Sequence, residues 1–244
     1  MILVTGATGN IGRPLIDALV SEGAEVRAVT RNPLAAGELL ALAKERGVKR
    51  VLALSAINVD DDLADQPSRY NGDRNKEVED AVMRCGLEWV ALRPSFFALN
   101  TVGIWAAQIR AGDVVAGPYA ASAWAPIHER DLAGVGARAL LTDELVGRRP
   151  VLTGPQSLTH QQMVATIGDA LGRRLRYQEI PPEAAKQGMV AYGFSEPFVA
   201  ALLAMQAAAV RQPAITTDEV KRILGRPART FAEWATDHAA AFRN

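Results

Sequence analysis

The chain has 244 residues, enough for one large domain or for one domain with a small lobe. Hydrophobic residues make up 49% and charged residues 22%, which excludes a disordered or fibrous chain. Lys plus Arg number 27 and Asp plus Glu 27, so no cationic surplus is present to grip nucleic acid or an anionic membrane.

Three His and one Cys, Cys85, are too few for a structural zinc site or a disulfide scaffold, so no metal is expected. The chain reads as a cytoplasmic protein of a reducing compartment. The opening MILVTG runs straight into a strand with no basic leader. The apolar stretch 198–210 is too short to cross a bilayer and holds Gln206, so it reads as a packed helix.

In chain order, residues 2–5 form a short continuous apolar run, as in a strand buried on both faces. Ile11, Leu15, Ala18 and Leu19 then recur at helical spacing. Pro14 falls in the first turn, where a missing N–H costs nothing, and Gly23 stops the helix. Residues 25–30 predict a second strand, 34–46 a helix ended by Gly47, and 50–55 a third strand. Residues 58–73, polar and interrupted by Pro67 and Gly72, read as a loop. A charged amphipathic helix over 74–84 and a strand over 89–93 follow. Strands alternating with helices imply an α/β, Rossmann-type, doubly wound parallel sheet. Beyond Pro94 the pattern loosens: residues 95–110 mix aromatics and aliphatics, and Gly112, Gly117 and Pro118 mark loops. A helix over 129–141 and a strand over 150–153 come next. Thr159 with Gln162 predicts a capping box for a helix running to Leu171, and 175–180 a strand. From Pro181 the chain reads as mostly helical, a region able to cover the open carboxyl edge of the sheet. The division expected is a dinucleotide-binding domain over 1–155 and a helical substrate-capping region over 156–244.

The strongest signal is TGATGNIG, which sets Gly6, Gly9 and Gly12 between a strand and a helix. Gly6 makes the tight turn, Gly9 lets a pyrophosphate approach the backbone, and Gly12 lets helix and strand pack. Free N–H groups at the helix start face the phosphates; Ala7 and Ile11 complete the loop, and Thr8 and Asn10 offer side-chain donors. An NAD site wants a carboxylate at the end of the second strand. Thr30, Arg31 and Asn32 stand there instead, and Arg31 can fork onto a 2′-phosphate, so NADP(H) is favoured over NAD(H). Ligands of open α/β sheets bind at the carboxyl ends of strands. Ser55 and Ala56 are therefore expected beside the nicotinamide ribose, and Pro94, Ser95 and Phe96 beside the nicotinamide. Phe97 and Trp105 either line an apolar substrate pocket or are plain core. Asp131 is expected to cap or open the helix that follows, His128 to be structural, and Cys85, remote from the strand ends, not to act as a nucleophile.

With MILVTGATGNIG, VRAVTRNP, GVKRVLALSA, GLEWVALRPSFFALN, APIHERDLAGVGARAL and LTGPQSLTHQQM in this order, the chain resembles the NmrA-like branch of the atypical short-chain dehydrogenase/reductase superfamily. The resemblance implies an NAD(P)-binding Rossmann fold. It implies reduction of a small carbonyl, enone or quinone compound, or else a non-catalytic NADP(H) redox sensor acting through a protein partner. A structural subunit, the third reading, would bind no dinucleotide. The wider superfamily uses a Tyr with a Lys four residues on. Tyr70 and Arg74 stand at that spacing here, with Lys76 nearby, so Tyr70 is the implied acid and Lys76 an implied ribose contact. One departure is large: about one βαβ unit of 30 or more residues is missing near 32–38. Either the unit is lost, the helix over 34–46 then serving as the single crossover in a 2-1-3-4 strand order, or a stretch is omitted from the sequence at that point. The expected partner is a small-molecule substrate. The Ala-rich helices leave room for a homodimer.

Overall fold

The computed structural model describes residues 2–5, 10–29 and 36–243. Strands β1 (Ile2–Thr5) and β2 (Val26–Val29) pair in parallel, Ile2 opposite Val26. Between them runs α1 (Gly12–Ser21), whose Leu19 is fully buried. After α2 (Ala36–Glu45), β3 (Arg50–Leu54), β4 (Glu88–Pro94) and β7 (Val151–Leu152) form a parallel sheet in the order β3-β4-β7.

The period of two along these strands sorts their side chains to opposite faces. Val90 and Leu92 of β4, with Leu52 of β3, pack toward Leu132, Val135 and Ala139 of α5 (Glu129–Leu141). Ala53 and Ala91, with Val51 and Trp89, pack toward Val78 and Val82 of α3 (Asn75–Arg84) and Leu40 of α2. Helices thus cover both faces, as a parallel sheet requires. Helix α1 lies against α5, where Gly136 admits Leu15: a Cβ on Gly136 would stand 3.2 Å from Leu15 Cδ1. Among the described residues no hydrogen-bonded pair joins β1 to β3, so the 2-1-3-4 order is not recorded. The α1–α5 contact links the β1-β2 sheet to the rest instead.

The second half holds elements the periodicity did not announce. Helix α4 (Asn100–Ala111) occupies the mixed stretch after Pro94. Strand β5 (Val114–Gly117) pairs in parallel with β9 (Arg176–Glu179), and β6 (Ala123–Trp124) pairs antiparallel with β8 (Leu158–Thr159). Helix α6 (His160–Leu171) starts on the expected capping box, with both Thr159–Gln162 bonds made. Then come α7 (Pro182–Ala191), α8 (Glu196–Ala208), α9 (Glu219–Leu224) and α10 (Phe231–Asp237).

The two halves share their cores. Trp105 and Ile109 of α4 pack with Met163 and Ile167 of α6, Phe231 and Trp234 of α10, and Phe242. Val220 and Ile223 of α9 return to Val90 and Leu92 of the sheet. Each such large side chain, fully buried, contributes about 1.5–3 kcal/mol. The stretch read as a loop over 58–73 contains two 3-10 turns, Leu63–Asp65 and Pro67–Asn71, and α8 packs on both. At its other end the chain after α8 bonds to β6, Ala123 N–H donating to Ala209 O at 3.1 Å. Helix α8 therefore spans from the turns that follow β3 to the segment that follows β5.

Candidate cofactor and substrate site

Gly6, Ala7, Thr8 and Gly9 lie outside the described residues, as does Arg31. The remainder of the glycine loop is in view. Asn10 is exposed in a turn, Ile11 is the N-cap of α1, and Gly12 is its buried first residue. The helix start has no side-chain cap and no acid in its first turn. The first N–H groups of a helix have no partner within it and carry partial positive charge. Arg13 adds a full charge there. This uncapped, acid-free start suits a phosphate.

The carboxyl ends of β3 and β4 stand beside each other. Ser55 N–H donates to Leu92 O at 2.8 Å, and Ile57 N–H to Pro94 O at 2.9 Å, which frames Ala56. Ser55 is 4% exposed, and its Oγ has no hydrogen-bond partner among the described residues. A buried hydroxyl left unpaired costs about 1–3 kcal/mol. An orphaned donor at the end of a central strand is what a ribose hydroxyl would satisfy, so the residues present fit a nicotinamide nucleotide. Ser95 N–H donates to Leu152 O at 2.8 Å, and Ile127 N–H to Phe96 O at 2.9 Å. The half-buried Phe96 ring tilts against Trp124, with centroids 5.4 Å apart. Phe97 is half-buried and bridges to Ile127. Trp105 is core: 3% exposed, it meets His160 and Tyr177 edge-on at 5.8 and 6.3 Å, because α4 turns it inward against α6.

Tyr70 sits on the second 3-10 turn, 40% exposed, its hydroxyl donating to Ala64 O at 3.1 Å. Gly72 at φ +98° reverses the chain before α3 begins, so Tyr70 and Arg74 do not share a helix. Lys76 Nζ lies 3.0 Å from Asp80 and 3.6 Å from Asp60. The Asp80 carboxylate holds that ammonium above its ordinary range. Among the described contacts neither Arg74 nor Lys76 bonds Tyr70.

Several contributors escaped sequence reasoning. Glu79, with no exposed surface, receives both arms of Arg93 at 2.5 and 3.1 Å, while Arg93 also reaches Asp60 at 2.7 Å. Such a bidentate fork is a strong, oriented pair. It ties α3 to the carboxyl end of β4 and to the segment after β3, which fixes the frame around Ser55. Asp131 lies in the first turn of α5, as one of the two expected roles has it, but does not cap the helix. It is fully buried and accepts from the Arg229 N–H at 2.6 Å, while Arg226 at 2.7 Å and the Arg229 guanidinium pair with it. Asp131 thus anchors the segment before α10. The cap is His128, whose Nδ1 accepts from Arg130 N–H at 3.2 Å, a structural role as expected. His160 accepts from Trp124 Nε1 at 3.0 Å, beneath the Phe96–Trp124 pair. Burial pushes its imidazole down to about 4, and pushes the neighbouring Tyr177 phenol up.

Comparison with known proteins agrees with this geometry. Residues 2–38 match the NAD dependent epimerase/dehydratase family. The chain is 31% identical to (4-alkanoyl-5-oxo-2,5-dihydrofuran-3-yl)methyl phosphate reductase of Streptomyces griseus subsp. griseus, across 99% of each chain. It is 30% identical to NAD(P)H azoreductase of Xenophilus azovorans, again across 99% of each. Among solved structures it superposes on NADPH-dependent quinone oxidoreductase of Escherichia coli in complex with NADPH, with TM-score 0.77 and 18% identity over 97% of this chain and 99% of that one. The chain belongs to the NmrA-like, atypical short-chain dehydrogenase/reductase family of Rossmann-fold proteins.

Proposed function

We propose that the chain is an NADPH-dependent reductase of a small carbonyl, enone or quinone compound. One observation carries the site: the buried, unpartnered hydroxyl of Ser55, set where β3 ends beside β4. Similarity along nearly the whole chain to two reductases, one of them an NAD(P)H azoreductase, supports the reaction class. NADPH, when bound, supplies the hydride. The chain's own part is to hold and enclose. The glycine loop, Gly6 to Gly12, takes the pyrophosphate, and Arg31 the 2′-phosphate. Ser55 and Ala56 meet the ribose, and Pro94, Ser95 and Phe96 flank the nicotinamide. Phe97 supplies an apolar wall, and α8 covers the strand ends. Trp105 backs this wall from the core and does not touch substrate.

Tyr70 is the proton donor in this reading, being the more acidic kind of hydroxyl compared with Ser55. To act, it releases Ala64 O; to reach a ribose, Lys76 releases Asp60 and Asp80. The tied state of Lys76 is what favours the rival reading, a dinucleotide sensor without turnover. The alignment with the Streptomyces reductase spans 289 positions, at least 45 more than this chain has residues. We place the unmatched unit near 32–38, where it would wall the adenine.

The test is titration with NADPH and NADH, followed by a quinone and aldehyde panel. Arg31→Ala is expected to weaken NADPH by about 1.5–3 kcal/mol, roughly 10- to 150-fold, and to leave NADH nearly unchanged. Equal losses for both would remove the 2′-phosphate role. Tight NADPH binding with no turnover on any compound would make the protein a sensor.

A further inference from the structure

Strand β6 has two residues, and each serves a different wall of the site. Ala123 N–H donates to Ala209 O at 3.1 Å, which ties the end of α8 to the strand. The Trp124 indole lies on Phe96, with ring centroids 5.4 Å apart. His160, the first residue of α6, meets that indole edge to edge. Trp124 Nε1 donates to His160 Nε2 at 3.0 Å, with the two ring planes 6° from parallel. We propose that His160 is a positioning residue of the cofactor site, fixing through Trp124 the Phe96 ring that flanks the nicotinamide. This assignment rests on the placing of Phe96 beside the nicotinamide.

The partners of His160 set its tautomer. An indole N–H only donates, so Nε2 carries the lone pair and the neutral ring keeps its proton on Nδ1. Nδ1 stands 3.5 Å from the Tyr177 oxygen, on the side of the Pro118 and Tyr119 carbonyls. An imidazolium would set a second N–H against the indole N–H, and burial keeps the ring neutral. The Trp124 N–H has one further acceptor, Ser122 Oγ at 3.1 Å. A serine hydroxyl rotates, whereas the imidazole is gripped on its faces and edges. Trp105 and Tyr177 both close on it with centroids 5.8 Å away.

The loop before β6 is held from several sides. His160 N–H donates to Ser122 O at 3.0 Å, and Gln161 N–H to Ala120 O at 3.2 Å. The Tyr177 hydroxyl donates to Pro118 O at 2.8 Å, and Glu179 accepts from Ala120 N–H at 3.1 Å. Between these ties Tyr119 stands at φ +52°, a left-handed conformation unusual for a bulky residue. Such backbone persists where its surroundings over-determine it, and it clusters at working sites. Three residues past Trp124, Ile127 N–H donates to Phe96 O at 2.9 Å, so one segment grips Phe96 by backbone and by ring. An apolar side chain at position 160 would fill this core as well as an imidazole does. What an acceptor adds is one fixed orientation of the indole, because a paired polar network in a core specifies a single arrangement.

The experiment is a double-substitution cycle on the full chain with two readouts. One is the fluorescence lifetime of bound NADPH, which reports how rigidly the nicotinamide is held. The other is kcat on a quinone that the wild type reduces. Trp124→Phe keeps a ring against Phe96 and removes the donor; His160→Leu fills the core and removes the acceptor. Each should shorten the lifetime and lower kcat by about 10- to 100-fold, the cost of a misplaced reacting group, with NADPH affinity held within about threefold. The double variant should fall no further than either single one, since both break the same bond. His160→Gln, which keeps an acceptor, should recover most of the loss. A purely structural role instead lowers the unfolding temperature and leaves the lifetime and kcat of the folded protein as in wild type. That result, additive losses, or a His160→Gln as impaired as His160→Leu overturns the proposal. If His160→Leu fails to fold, Trp124→Phe and His160→Gln decide. NADPH binding without turnover defeats the reductase reading alone, and the lifetime still judges His160. A wild type that binds no NADPH overturns both.

Discussion

At the scale of single residues, Ser55 makes a prediction with two opposed signs. Its hydroxyl is buried without a partner, so replacing it removes a cost from the nucleotide-free protein. Ser55→Ala is expected to unfold at an equal or higher temperature than wild type. The same change should weaken NADPH by about 2- to 10-fold, the worth of one net hydrogen bond of roughly 0.5–1.5 kcal/mol. A variant losing both stability and affinity would make Ser55 plain core. Tyr70→Phe separates the proton donor from the scaffold. A general acid contributes about 10²–10⁴-fold, so kcat should fall by that factor while NADPH binding holds. A fall below threefold would move the proton to solvent or to Ser55. Residue identities of this kind were legible where a local rule applied: the glycine loop, the end of β3, the Thr159 cap. Glu79 with Arg93, Asp131 with Arg229, and His128 with His238 were not. Their partners lie 14, 98 and 110 positions away, and no local period encodes such a pairing.

At the scale of elements, the first half read well because both periods were clean. Strand faces alternate between Leu52 or Val90 and Ala53 or Ala91, and α1 repeats its apolar stripe. Helix α4 was hidden by its own composition. Its buried face, Thr101, Trp105, Ala106 and Ile109, has helical spacing. Ile104 on the other side is 51% exposed, which blurs the contrast. Strands β6 and β8 have two residues each and leave no period to find. Element junctions also decide which glycines can change. A Cβ on Gly154, just after β7, would stand 2.1 Å from Pro126 O, and that backbone has nowhere to go. Gly154→Ala should cost about 1–3 kcal/mol or more. A Cβ on Gly188, inside α7, would meet nothing within 4 Å. Gly188→Ala should gain about 0.5–1 kcal/mol, from the higher helix propensity of Ala. Urea unfolding of the pair checks both; a matched response would refute the packing argument.

At the scale of the whole molecule, His160 couples acid to stability. Its imidazole is neutral in the fold, held at about 4 against 6.5 when free. As pH falls the unfolded chain takes up this proton first. The stabilisation is therefore whole above about 6.5 and is lost as pH drops toward 4, with a slope of up to about 1.4 kcal/mol per pH unit. His160→Gln should flatten that part of the curve; an unchanged slope would assign it to the carboxylates.

The shared core also sets an order in time. Trp105, Ile109 and Val115 of the first half are sealed by Phe231, Trp234 and Phe242, more than a hundred residues downstream. At about 5–20 residues per second of synthesis, roughly 6–25 s separate the two sets as they leave the ribosome. Throughout that interval α6 can cover these groups only in part, and the face that Phe231, Trp234 and Phe242 will close stays open. Late closure of this core, after its last segment has emerged, is the consequence of building one interior from both ends of the polypeptide.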